Sequence, residues 1–155
     1  MKIVSSIALI CMCSTSISFA AKFDIQESLR HYKPQLSDAF KQNLAQVDTE
    51  AGREYFERKC AQCHDSQKEG GHSKGPHLWN WYGRKAGSIS GFVFSEGMLE
   101  SGHTWDFATL NYYLTRTDRA VPGVEMNFRG IRQDDKRTQL LGHMRTLNDE
   151  VPPWP

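Results

Sequence analysis

A helical stripe runs through an otherwise polar stretch after position 20: Leu36, Phe40, Leu44 and Val47 recur at steps of four, four and three. That spacing gives one apolar face, and Pro34 stands just ahead, where a helix start tolerates it. A helix packed on the main domain is the plain expectation, and an arm that docks a partner is the sharper one. Asp48 to Glu50 suit the start of a second helix, which turns Tyr55 and Phe56 toward a core and runs into residue 60. From Asp65 to Gly102 the glycines at 70, 71, 75, 83, 87, 91, 97 and 102 leave mainly loop with at most short helical turns. A third helix is predicted from Asp106 to Arg116, with Leu110, Tyr113 and Leu114 on one face. The last spans Gln133 to Leu147, with Leu140, Leu141, Met144 and Leu147 inward and Asp134-Asp135 favouring its first turn. No segment alternates as a strand does and none repeats, so the fold class is all-α. The closing Val151-Pro152-Pro153-Trp154-Pro155 cannot continue a helix.

The first twenty residues read differently. Lys2 supplies a positive start, Ile3 to Cys13 an apolar run, and Ser18-Phe19-Ala20 a small-residue cleavage site. The run is too short to span a bilayer, and Leu9-Ile10 is a poor lead-in for lipidation at Cys11, so a retained anchor is the weaker reading. The chain of 155 residues therefore divides into a signal peptide (1–20), an N-terminal helical extension (21–48), one domain (49–150) and a Pro/Trp-rich tail (151–155). An exported protein of a bacterial periplasm is expected. Removal of Lys2 leaves 18 basic against 18 acidic side chains, a balance that argues against binding nucleic acid.

Export also halves the cysteine count. Cys11 and Cys13 leave with the signal, and both remaining cysteines lie in Cys60-Ala61-Gln62-Cys63-His64. In Cys-x-x-Cys-His each position has its own task. The two thiols reach the two vinyl groups of one haem, and the adjacent histidine is held under the iron. A thioredoxin-like pair would open a helix in a strand-helix-strand context, which is not visible here, and a zinc site would want a second close-spaced ligand pair. One haem c, attached through two thioethers, is the cofactor expected. For a second iron ligand the candidates are Met98, Met126, Met144 and the other histidines. Met144 falls on the apolar stripe of the last helix, whereas Met126 follows a Pro122-Gly123 turn and serves no stripe.

From about Gly52 to Leu147 the chain resembles the class I cytochromes c, the soluble electron carriers of mitochondria and bacteria. The resemblance is carried by Cys60-Ala61-Gln62-Cys63-His64, Gly75-Pro76-His77-Leu78, Gly83-Arg84-Lys85-Ala86-Gly87, Gly91-Phe92, Thr104-Trp105 and Pro122-Gly123 followed by Met126. It implies the cytochrome c fold for residues 49–150, with helices and long loops wrapped around one haem. It also implies His64 and Met126 as axial ligands, and the Pro76 carbonyl as acceptor for the far nitrogen of His64. Arg84 and Trp105 would lie by a buried propionate, Tyr113 near the methionine sulfur, and Phe128 at the exposed haem edge. Gly52 and Phe56 would cross the last helix near Leu140, and His72 would bridge loops. The chain departs from the family at Phe94, which stands for a propionate-binding tyrosine, and at Val124, which stands for a threonine. Arg119 and Glu125 replace lysines and His143 replaces an aromatic residue. No lysine occurs between Lys85 and Lys136, so exchange of methionine for lysine at high pH is expected to be impaired.

The function implied is one-electron transfer by a monomer between redox proteins: a membrane cytochrome bc-type complex, an oxidase, a reaction centre, or a periplasmic dehydrogenase or peroxidase. Lys68, Lys74, Arg84, Lys85, Arg116, Arg119, Arg129 and Arg132 are candidates for a basic docking ring. One rival is a haem enzyme or gas-binding cytochrome, which needs an open sixth position and an acid-base group such as Glu125 or His103. Another is a dedicated subunit tethered to one enzyme by the extension.

Overall fold

The computed structural model describes residues 27–155. The signal peptide and the first residues of the extension lie outside the described residues. Among the described residues six helices follow in order: α1 (Asp38–Ala45), α2 (Thr49–Lys59), α3 (Glu96–Ser101), α4 (Phe107–Thr115), α5 (Thr117–Ala120) and α6 (Asp134–Arg145). Among the described residues there is no strand, only an isolated antiparallel bridge between Lys85 and Thr104. No described helix is long and apolar enough to cross a membrane.

The helix starts follow capping chemistry. Ser37 accepts from the Phe40 amide at 3.2 Å, and Asp48 from those of Glu50 and Ala51 at 3.0 and 3.2 Å. Asp106 forms a reciprocal box with Thr109, at 2.7 and 2.8 Å. The extension is less helical than its stripe predicted. Among its described residues only Asp38–Ala45 winds, because Ser37 caps there and Pro34, with no N–H, stands ahead of it. Its apolar residues are nevertheless used at home: Leu29, Leu36, Phe40 and Leu44 are all buried in the common core. From residue 27 onward the plain expectation for this segment is therefore the observed one, its apolar side chains packing on its own domain.

The frame of the domain is the crossing of α2 and α6. Gly52 makes it possible, since a Cβ there would overlap the Gln139 carbonyl of α6. Phe56, one turn on, packs against the His143 ring at 5.1 Å, and Leu140 and Leu141 are fully buried behind it. Helix α4 is buried on nearly every side, because it lies between a central cavity and the extension. The tail also belongs to the domain. Trp154 packs on Phe107 at 5.6 Å and under the Arg145 guanidinium at 4.5 Å, while Arg145 Nε donates to the Pro152 carbonyl at 2.7 Å.

Candidate haem-binding site

A cavity of about 690 Å³ opens between α2, α4, α6 and the long loops, within the range of cofactor pockets. Its walls bring together every residue the sequence singled out for the site: Cys60, Cys63, His64, Pro76, Arg84, Trp105, Tyr113, Met126 and Phe128. Phe56, Leu78, Trp81, Met98, Leu110, Leu114, Leu140 and Met144 make its apolar body.

The first wall is built locally. Helix α2 ends at Lys59, and the Cys63 and His64 amides both donate to the Cys60 carbonyl at 3.0 Å, a tight turn that sets both thiols and the imidazole on one side. Burial pushes the Cys60 thiol up to about 12, with Cys63 adding to the effect. A thiol kept neutral is the opposite of the depressed pKa a thioredoxin-type pair needs. His64 Nδ1 lies 2.8 Å from the Pro76 carbonyl. A carbonyl can only accept, so Nδ1 carries the proton and Nε2 keeps its lone pair. Burial lowers the pKa of His64, against the raising effect of the Pro76 bond, which keeps the ring neutral. Gly75 gives the ring its place: a Cβ there would overlap the imidazole.

The second wall is assembled from distant parts. The Tyr113 hydroxyl donates to Met126 Sδ at 3.1 Å, and burial raises the pKa of Tyr113, so it stays a donor. Trp105 stands edge-on to Tyr113 at 5.2 Å and His103 edge-on to Trp105 at 4.2 Å. The bridge at Lys85 and Thr104 sets Arg84 beside Trp105, the Trp105 amide donating to the Arg84 carbonyl at 2.9 Å. Arg84 turns inward, donating to the carbonyls of Trp79 at 3.2 Å and His77 at 3.1 Å. Burial lowers its pKa.

Three expectations change with the geometry. The eight basic side chains do not form one ring. Lys74 and Lys85 stand at the cavity, joined by Lys59, whereas Arg116, Arg129 and Arg132 line a separate cleft. Lys68 pairs with Asp149 at 2.6 Å and Arg84 serves the interior. Met98, left open as a ligand candidate, is a buried residue of α3 whose Sδ lies 4.0 Å from the Ser101 hydroxyl. His103 packs behind Trp105 and does not line the cavity, while Glu125 lies exposed at its rim. Sequence reasoning missed Trp81, whose Nε1 donates to the Met144 carbonyl at 2.6 Å and ties the loops to α6. No periodicity marks it. His72 does bridge loops, accepting from the His77 amide at 3.0 Å, with Nε2 2.8 Å from the Ser90 carbonyl.

This combination of an apolar cavity, two thiols, a lone-pair nitrogen and a thioether suits an iron porphyrin held covalently. Residues 49–147 match the model of the Cytochrome c family, and the chain belongs to that family. It is 37% identical over 98 residues to cytochrome c of Chlamydomonas reinhardtii, covering 63% of this chain and 88% of the relative. With cytochrome c of Euglena viridis it shares 37% over 102 residues, 66% of this chain and 99% of the relative. With that of Ginkgo biloba it shares 34% over 103 residues, 66% of this chain and 91% of the relative. The class is thus a c-type cytochrome of all-α fold, with haem c attached covalently at Cys60 and Cys63. As in its family, the protein carries electrons between redox partners.

Proposed function

We propose that this chain is an exported, monomeric one-electron carrier of a bacterial periplasm, in which His64 and Met126 would hold the haem iron. The observation that carries the reading is the pairing of two oriented donors in one cavity: His64, fixed by the Pro76 carbonyl, and Met126, fixed by the Tyr113 hydroxyl. When bound, haem c supplies an iron couple that changes by one electron. The residues do the rest. Cys60 and Cys63 anchor the group, and His64 presents the basic nitrogen. Met126 offers a soft sulfur that favours the ferrous state. The apolar walls exclude water and hold the geometry in both redox states, which keeps rearrangement small.

Two observations weigh against a haem enzyme. His103 packs on Trp105 and does not line the cavity, and Glu125 is exposed to solvent where it borders it. A dedicated subunit gains no support from the described part of the extension, where Leu29, Leu36, Phe40 and Leu44 are buried in this domain. Export rests on the signal-like residues 1–20. Lys59, Lys74 and Lys85 near the opening suit weak, fast docking to an acidic face of a redox protein such as a cytochrome bc-type complex, oxidase, reaction centre or dehydrogenase.

The test is an optical spectrum of the oxidised and reduced protein with a search for the weak near-infrared sulfur-to-iron band. That band is expected in the native protein and absent from Met126→Ala, with little carbon monoxide bound by the reduced native form. Ready carbon monoxide binding by the native protein would overturn the reading.

A further inference from the structure

The family match begins at residue 49, yet the segment ahead of it is fastened to the domain at four points. The Leu29 amide donates to the Ala120 carbonyl at 2.8 Å. The Tyr112 hydroxyl donates to the Glu27 carbonyl at 2.8 Å, with the Tyr32 ring 5.1 Å from its own. Arg30 pairs with Glu100 of α3 at 2.8 Å. Phe40 of α1 lies 6.0 Å from the Arg137 guanidinium.

All four points border the same loop. Ala120 is the residue before Val121, where the chain leaves α5 for Met126, and both are fully buried. Glu100 belongs to the helix whose Gly97 abuts the carbonyl of Pro122, so close that a Cβ would overlap it. Arg137 donates to the Ile131 carbonyl at 2.6 Å, where the loop returns, and the Ile131 amide donates to Leu114 at 2.6 Å. Tyr112 precedes Tyr113, the donor to Met126. The extension thus grips both feet of the loop and the helix that bonds its sulfur, beside the hydrogen bonds the loop makes for itself. Among them is the Thr117 hydroxyl donating to the Phe128 carbonyl.

We propose that residues 27–47 act as a brace that holds the Met126 loop shut, with Leu29 and Tyr112 as positioning residues. The proposal rests on the reading of Met126 as an axial ligand. A loop opens by local unfolding at a cost below that of global unfolding, and that cost rises with each fixed end. The brace raises it at both ends. The side of the cavity away from His64 is then closed to small external bases that a looser loop would admit.

The experiment uses the full-length ferric protein and imidazole as probe. Leu29→Pro removes the N–H that meets Ala120, Leu29→Ala keeps that N–H but loses the side chain, and Tyr112→Phe removes the hydroxyl that meets Glu27. Trp154→Ala removes the packing of the tail on Phe107, at the start of α4, and on Arg145, touches no residue of the brace, and serves as the control for general destabilisation. Leu29→Pro is expected to bind imidazole about tenfold more tightly than native, Leu29→Ala and Tyr112→Phe less so, and Trp154→Ala no differently from native. Should Leu29→Pro fail to fold, Tyr112→Phe against Trp154→Ala decides. Native-like imidazole affinity in the brace variants, or an equal gain in Trp154→Ala, overturns the brace. A native ferric protein without the sulfur-to-iron band overturns instead the reading beneath it, and the brace with it.

Discussion

The two walls of the cavity are built on opposite plans. On the His64 side the supports nearest the ring come from a short run of chain. The turn at Cys60, the Gly75 amide on the Cys63 carbonyl at 2.7 Å, the Pro76 carbonyl, and the Leu78 amide on the Asp65 carbonyl at 2.9 Å all fall within residues 60–78. On the Met126 side the supports arrive from everywhere. Tyr113 comes from α4, Gly97 from α3, Thr117 from α5, Ile131 and Arg137 from the approach to α6 and its body, and Leu29 from outside the family domain. A wall closed by local contacts forms as a unit and resists as one. A wall propped from afar opens whenever one prop yields, because each prop carries a separate share of the local stability.

That contrast can be broken at either wall. Gly75→Ala is expected to have the largest effect. A methyl group there overlaps the His64 ring, and the Pro76 bond leaves the ring nowhere to turn. Overpacking of this kind costs about 1–3 kcal/mol, and the upper end is expected in denaturant titration, with a lower yield of covalently loaded protein. Gly97→Ala overlaps the Pro122 carbonyl and the Gly123 backbone on the other wall, so relief comes only by moving the Met126 loop. A loss in the same range of about 1–3 kcal/mol is expected, with the sulfur-to-iron band weakened and imidazole bound more tightly. If Gly97→Ala leaves that band intact while Gly75→Ala proves mild, the two walls do not differ as described.

Two finer probes sharpen the contrast. Tyr113→Phe deletes one weak hydrogen bond to Met126. It leaves more electron density on the sulfur and favours ferric iron, so the reduction potential is expected to fall by on the order of tens of millivolts, read by redox titration. The smallest effect is a pH slope. Burial, opposed by nearby Asp106, lowers His103 from 6.5 to about 4, and both ring nitrogens are buried without a partner. Between those values the unfolded chain takes up a proton that the native chain refuses. Native stability therefore falls as pH drops from 6.5 toward 4, and the His103 share is fully lost below 4. His103→Leu is expected to show a shallower decline in denaturant midpoint between pH 7 and 4.5 than native, the other histidines being common to both.

The same contrast governs what could be read in advance. The His64 wall is legible because its chemistry is contiguous: Cys60, Cys63 and His64 announce a haem from five letters, and Gly75-Pro76 follows close by. The long helices are legible too, since α2, α4 and α6 each run long enough for an apolar face or an acidic start to show. The Met126 wall was legible only as a loop methionine freed from periodicity, and its partner Tyr113 came from family resemblance, because a contact across 13 residues leaves no local mark. Met98 and α5 escaped because Glu96–Ser101 and Thr117–Ala120 are too short for any period to be expressed. The basic ring dissolved because sequence counts charges and not directions: Arg84 points in, and Lys68 is occupied by Asp149.

The contact of Gly52 with the Gln139 carbonyl also sets a schedule. The two positions lie at opposite ends of the domain, and closing a loop of that length costs about 4 kcal/mol of chain entropy before any packing repays it. A chain emerging from its N-terminus completes Cys60–His64 long before α6 exists to cross α2. Until the last helix arrives, the thiols face an unclosed chain and stay within reach of whatever attaches the porphyrin. The order in which the chain emerges thus provides the interval in which a covalent step can precede closure.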